Sequence, residues 1–444
     1  MNLIKKIRNL TVGQLYVFLT VLCVTVFFIC VFFSSGDLLS EWFFGGKTIL
    51  LDDRDTGMDF FNSIIYLKDN DPYLKYHTLY PPLANLFFKL LYHMIPDSIT
   101  SSWADDYEDV KDMRGAEGDI RTYQPPLVLF IFFIVFTVLT LTAVSDRFCE
   151  KSDDPLKKWI PACTVLSYGV LYSLERGNII LISCIFSMIF VLWYQSSNRI
   201  LREIALISLA IAAGLKLYPA LFGLLLIRNK QYKDAGRAII YGVLSVILPC
   251  FAFNGGLTNF PEWLKIALSG GGGRDCLGIM DILSTVTMIT DRFGFFYTPS
   301  PTVWTVSSIL TSLIQPFVIL FPVLAFFYAK SAWERVLTLE VLMILLFHQG
   351  TYVCCFFIIP LLVYMQEHPA SGVDKTPLTI LIMLLFILPV PLFGTAIRLL
   401  LGIVLFAVLY ISLVLHTLSH LWNRITREKI SLHEIKEIHI KRGK

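Results

Sequence analysis

Charge is what this chain has least of. Only 16% of its 444 residues are charged, where soluble domains carry roughly a quarter. Together with 55% hydrophobic residues and a mean hydropathy of +0.66, that deficit excludes a soluble enzyme that merely buries a few helices. Cysteine is also used without pattern: nine are present, no CxxC pair occurs, and only Cys276 falls in a segment read as external. A disulfide-stapled ectodomain and a paired-cysteine metal or redox site are both excluded. His77, His93, His416 and His420 lack metal-ligand spacing. No strand–turn–helix context surrounds the glycines at 270–273, so they read as a flexible loop and not as a phosphate cradle. No internal repeat is visible. No small-residue cleavage site follows the basic, apolar N-terminus, so the first apolar run reads as a retained signal anchor.

Long apolar runs are abundant, and many reach the length that spans a bilayer core. Spans are expected at about 14–35, 124–145, 159–175, 178–195, 237–254, 303–327, 377–395 and 398–421. The basic residues Lys5, Lys6, Arg8, Lys157, Lys158, Arg228 and Arg237 flank these runs, as does the tail from Arg424. They read as cytoplasmic topology signals and not as a nucleic-acid surface. Two stretches, 203–227 and 336–365, have basic residues at both ends. A single crossing would carry one of those clusters outside. Each is therefore expected to break and return, at Lys216-Leu217-Tyr218-Pro219 and at His348-Gln349-Gly350-Thr351. Irregular backbone at that depth must be buried in protein or line a wet cavity.

The fold expected is an all-α polytopic membrane protein of about 10–12 transmembrane or half-length helices. Both termini are expected to be cytoplasmic. Residues 1–444 form one domain, with extracytoplasmic loops at 36–123 and 255–302 and a basic tail at 422–444.

One polar stretch, 51–85, gathers acids beside aromatic and proline residues: Asp52, Asp53, Asp55, Asp59 and Asp69, followed by Asp71-Pro72-Tyr73 and Tyr80-Pro81-Pro82. The two helix breaks and the turn Glu175-Arg176-Gly177-Asn178 are expected on the same outer side. Ionisable residues within a bilayer mark functional paths by default. A carboxylate facing Lys, Arg and His beside an apolar bundle suits transfer of a sugar from a lipid phosphate to a hydroxyl. The carboxylate removes the hydroxyl proton as the sugar passes through an oxocarbenium-like state. The cations stabilise the phosphate that leaves. An aspartate at 59 is also suited to capping the helix that begins near Phe60. The Asp55–Asp59 spacing leaves open a shared role or a metal.

The stretch Gly57-Met58-Asp59-Phe60 through Tyr80-Pro81-Pro82-Leu83, then Arg176-Gly177-Asn178 and Gly214-Leu215-Lys216-Leu217-Tyr218-Pro219, resembles the GT-C superfamily of membrane glycosyltransferases over about residues 50–240. It most resembles glycosyltransferase family 87, of the polyprenyl-phosphate-mannose-dependent α-1,2-mannosyltransferase type. The resemblance implies that Asp59 is the general base and that Lys216 lies near the donor phosphate. Arg176 and His348 are further candidates for that phosphate, with Asp55, Tyr80 and Asn178 in support.

The expected activity is metal-independent, inverting transfer of a hexose, most simply mannose, from a polyprenyl-phosphate donor to a glycan or glycolipid acceptor. No cofactor is expected. A bacterial inner membrane is favoured, since no retention signal ends the chain. The rival reading is a transporter or lipid flippase with a midplane polar site. The acids on one surface loop, and the absence of similar halves, favour the enzyme.

Overall fold

The computed structural model describes residues 9–33, 56–100, 120–150, 152–268, 300–347, 351–369, 372–389, 401–419 and 422. Among these residues the chain is helical without strands, and one isolated bridge joins Thr11 to Gly372. A bilayer enforces this choice, because a helix satisfies every backbone N–H and C=O within its own segment.

The first elements are α1 (Val12–Phe33), α2 (Met58–Ile65), α3 (Pro82–Tyr92) and α4 (Gln124–Cys149). Then come α5 (Ile160–Val165), α6 (Tyr168–Arg176), α7 (Ile180–Trp193), α8 (Arg199–Leu215), α9 (Leu224–Arg228) and α10 (Tyr232–Cys250). The second half holds α11 (Asn259–Leu268), α12 (Pro301–Tyr328), α13 (Ala332–Phe347), α14 (Ile358–Glu367), α15 (Leu378–Ile387) and α16 (Leu401–Ser419). Among the described residues four helices are long and apolar enough to cross a membrane, namely α1, α4, α12 and α16. Their exposed Phe, Leu, Ile and Val side chains cover the outside of the bundle.

Local chemistry sets several of the ends. Pro125 and Pro126 occupy the first turn of α4, where the missing N–H costs nothing. The Asn198 side chain caps α8 by accepting from the Ile200 amide at 2.9 Å. At its other end α8 leaves the helical region at Lys216, with φ −146° and ψ 126°. The chain resumes as a 3-10 turn over Tyr218–Gly223 and then α9. Pro219 helps to prevent continuation, because its ring removes a donor that a continued helix requires. This is the break read from the sequence, although α8 begins at Arg199 and so is a 17-residue helix of about 25 Å rather than a half-length one.

The second expected break falls largely outside the described residues, at 348–350; to either side of it lie α13, which runs to Phe347, and a 3-10 segment over Thr351–Phe357. One expectation fails. The span drawn over 159–175 is two short helices, α5 and α6, separated at Leu166-Ser167. Ser167 is extended (φ −65°, ψ 148°), so the apolar run concealed a corner.

Two clusters of buried apolar side chains organise the interior. The larger gathers α7, α8, α13, α14 and α15. The smaller contains Phe60, Phe88, Phe130, Phe133, Ile179 and Leu215. In lipid, helices associate through close packing and interhelical polar contacts rather than by escape from water. The smaller cluster is accordingly dense: Phe60 packs with Phe61, Phe130 and Phe133 at ring-centroid distances of 5.3 Å in each case. Each such aromatic pair contributes about 0.5–1.5 kcal/mol beyond its area. Phe60, Ile179 and Leu215 are the chain neighbours of Asp59, Asn178 and Lys216. The same cluster therefore fixes the backbone beneath all three.

Candidate active site

Asp59 lies in the first turn of α2 and does not cap it. Gly57 is the N-cap, with φ 72° and no side-chain hydrogen bond. The carboxylate turns instead toward the corner that follows α6. Arg176 donates to it twice, Nε to Oδ2 at 3.1 Å and Nη2 to Oδ1 at 3.0 Å. Asn178 donates its Nδ2 to Oδ2 at 2.7 Å. A two-pronged guanidinium–carboxylate pair is among the stronger charge-assisted contacts, and it fixes orientation as well as charge. The side chains of Arg176 and Asp59 are 17% and 16% exposed. The pair is thus shielded from bulk solvent yet reachable by a substrate.

Asn178 is itself held. Its Oδ1 accepts from the Ile180 amide at 3.0 Å, and that bond aims the NH2 group at Asp59. Gly177 makes the corner possible. It takes φ +65° as the C-cap of α6, and a Cβ there would lie 2.6 Å from the Phe60 Cβ and 2.7 Å from a Phe130 ring carbon. Changing Gly177→Ala is expected to lower stability by about 2 kcal/mol or more, from left-handed strain and overpacking together. The placement of Arg176 and Asn178 is disturbed with it, because both flank the residue. Thermal unfolding in detergent beside the wild type measures the first effect.

The α2 end is tied to the same corner. The Gly57 amide donates to the Glu175 carbonyl at 2.7 Å, and Arg121 donates to the Thr56 carbonyl at 3.2 Å. Ser63 donates to the Asp59 carbonyl at 2.5 Å.

Lys216 reaches the site from the end of α8. Its Nζ lies 4.1 Å from the centroid of the Tyr80 ring, a cation–π contact, and it interacts electrostatically with Asp59. Tyr80 also stacks on Phe88 at 5.9 Å. Its backbone is clamped: the carbonyl accepts from Tyr73 Oη at 3.1 Å and from the buried Asn85 at 3.3 Å. Pro81 and Pro82 open α3 directly after it.

Of the residues singled out from sequence, Asp59, Arg176, Asn178, Lys216 and Tyr80 come together. Asp55 and His348 lie outside the described residues. Arg176, expected near a phosphate, has Asp59 in its fork. Asp69 stands apart on the surface, where Lys75 and Tyr76 donate to it at 2.5 and 2.7 Å. Those two hydrogen bonds hold its carboxyl below the usual carboxylate range. Among the described residues no group of three or more His, Cys, Asp or Glu side chains is placed to hold a metal.

Sequence reasoning passed over two further neighbours. Tyr172 lies with its ring centroid 6.0 Å from the Arg176 guanidinium, and Tyr352 stacks on Tyr172 at 5.4 Å. Tyr172 had a signal, since it precedes Arg176 by one helical turn. Tyr352 had only its position just past the second helix break.

A carboxylate held by Arg176 and Asn178, still 16% exposed and with a lysine nearby, can accept a proton from a hydroxyl next to a stabilised anion. The model of the family described as glycosyltransferase family 87 matches residues 78–354. Comparison with curated proteins and with solved structures gave no match. The matched segment carries Tyr80, Arg176, Asn178 and Lys216 and extends well past the region of motif resemblance. Asp59 precedes it and is joined to it through Arg176 and Asn178.

Proposed function

The chain belongs to glycosyltransferase family 87, and on that premise we propose that it moves a hexose, most simply mannose, from a polyprenyl-phosphate donor to a hydroxyl of a glycan or glycolipid acceptor. The observation that supports this most is the Asp59 carboxylate, gripped by Arg176 and Asn178 beside Lys216.

The acceptor oxygen attacks C1 of the sugar while the bond from C1 to the phosphate oxygen breaks. The hydroxyl proton passes to Asp59, and the leaving polyprenyl phosphate takes the bonding electrons. In the oxocarbenium-like transition state the attacking hydroxyl becomes acidic, so a carboxylate suffices as base. Its two oxygens are not equivalent. Oδ2 accepts from both Arg176 and Asn178, whereas Oδ1 accepts only from Arg176 among the described residues. A carboxylate offers about four lone-pair positions, and Oδ1 keeps the more open side for the acceptor proton.

Lys216 is the cation left for the departing phosphate. Its seat on the Tyr80 ring holds the ammonium in place without neutralising it. Changing Lys216→Met preserves the aliphatic packing and removes the charge. The donor KM is expected to rise about 10- to 100-fold, the scale of one lost charge-assisted contact. An unchanged donor KM in steady-state assays would move the phosphate elsewhere.

We further assign the site to the extracytoplasmic face of a cell membrane, in a bacterium the inner membrane. The basic flanks support that orientation. No cofactor enters the reaction as written. The donor class is tested by offering the purified protein a panel of polyprenyl-phosphate sugars and nucleotide sugars with glycan acceptors. The lipid-linked mannose donor is expected to be consumed. Transfer from a nucleotide sugar alone would overturn the donor assignment.

A further inference from the structure

Three tyrosines form a column that ends at this site. Tyr168 and Tyr172 stack at 5.9 Å with their planes 19° apart, and Tyr172 and Tyr352 stack at 5.4 Å and 20°. Tyr168 is buried at 7% exposure, while Tyr172 and Tyr352 are only partly covered.

The column is built by a close backbone approach. A Cβ on Gly169 would lie 2.4 Å from the Cys355 backbone nitrogen and 2.9 Å from its Cα, so only glycine lets α6 lie this near the 351–357 segment. That approach brings Tyr172 of one element against Tyr352 of the other. The column meets the Asp59–Arg176 pair through Tyr172, whose ring centroid lies 6.0 Å from the Arg176 guanidinium and 5.4 Å from that of Tyr352.

Rings that are partly open, backed by other rings and set beside a carboxylate suit a specific task. The C–H bonds on one face of a pyranose are polarised by their oxygens, and an aromatic face is negative. A ring already locked by stacking loses little freedom when a sugar settles on it.

We propose that Tyr352, backed by Tyr172 and Tyr168, is the platform on which a pyranose ring of a substrate stacks during transfer. This rests on the glycosyltransferase reading of the same site. The sugar is that of the donor or that of the acceptor, and the test separates them.

Steady-state kinetics on Tyr352→Phe and Tyr352→Ala, with donor and acceptor varied in turn, read the platform directly. Tyr352→Phe keeps the ring and stays within about threefold of wild type. Tyr352→Ala raises the KM of one substrate about tenfold, on the scale of one aromatic contact, and the substrate affected identifies the sugar. If both KM values are unchanged in Tyr352→Ala, or if Tyr352→Phe is as impaired as Tyr352→Ala, the proposal is wrong.

Tyr352→Trp adds a readout without catalysis and covers the case in which the Ala variant does not fold. Its difference fluorescence against the wild type should change on titration with methyl α-mannoside and not with polyprenyl phosphate lacking sugar. No change with the mannoside overturns the platform. A protein that transfers no sugar but shows the mannoside-dependent change would fail the transferase reading and keep the platform.

Discussion

Asp59→Asn is expected to lower the rate of sugar transfer about 10³-fold, within the range general bases contribute, while the donor KM stays within about threefold. The amide is nearly isosteric with the carboxylate, so the shape of the site survives. What disappears is the ability to accept a proton from the acceptor hydroxyl. The substitution also leaves Arg176 without a counter-charge in a partly buried site and turns an NH2 group toward guanidinium or amide donors. Some loss of thermal stability therefore accompanies the kinetic loss. The split between kcat and KM separates the two effects, since a merely loosened fold degrades binding as well. A variant that turns over as fast as the wild type would remove Asp59 from the reaction.

The second large effect concerns Arg176. Truncation by Arg176→Ala breaks a pair whose members are each more than four-fifths covered. Removing one partner of a buried pair typically costs about 3–5 kcal/mol, because the other charge is left uncompensated. Here the remaining exposure places the expected loss toward the lower end. Transfer falls further than stability alone requires, by about 10²-fold in kcat, because Asp59 is no longer aimed. Arg176→Lys restores the charge but presents one ammonium where two oxygens were held by a fork, and it should recover only a small part of the rate. These outcomes also separate two roles. A positioning residue lowers kcat and leaves the donor KM nearly unchanged, whereas a phosphate ligand raises the donor KM. Arg176→Ala with wild-type kcat and a raised donor KM would return Arg176 to the phosphate.

Much of this was legible in the residues. Basic flanks at both ends of 203–227 demanded that this stretch break, and the chain leaves the helix at Lys216; the break demanded of 336–365 falls largely at 348–350, outside the described residues. Asp59, Arg176, Asn178, Lys216 and Tyr80 were each marked from the sequence. Their pairing was not.

Arg176 and Asp59 are separated by 117 residues, and nothing local says that the guanidinium takes the carboxylate rather than a substrate phosphate. The corner at Ser167 was hidden because α5 and α6 are both apolar, and hydropathy registers composition but not a residue in an extended conformation. Tyr168, Tyr172 and Tyr352 were passed over for a related reason. Aromatic residues are common in such a chain, and only the contact at Gly169 shows that these three stack. The placement of basic residues located the break at Lys216 and gave no information on what meets there.

The central claim is transfer of a sugar at Asp59 rather than movement of a lipid. It is tested most directly by reconstituting the full chain in vesicles with polyprenyl-phosphate-mannose and a glycan acceptor, and by following both products by mass spectrometry. The account predicts that polyprenyl phosphate and mannosylated acceptor appear in equal amounts with the wild type, and that Asp59→Asn yields almost none of either. Donor that crosses the vesicle intact with no mannosylated product, or product formed by Asp59→Asn at the wild-type rate, would contradict it.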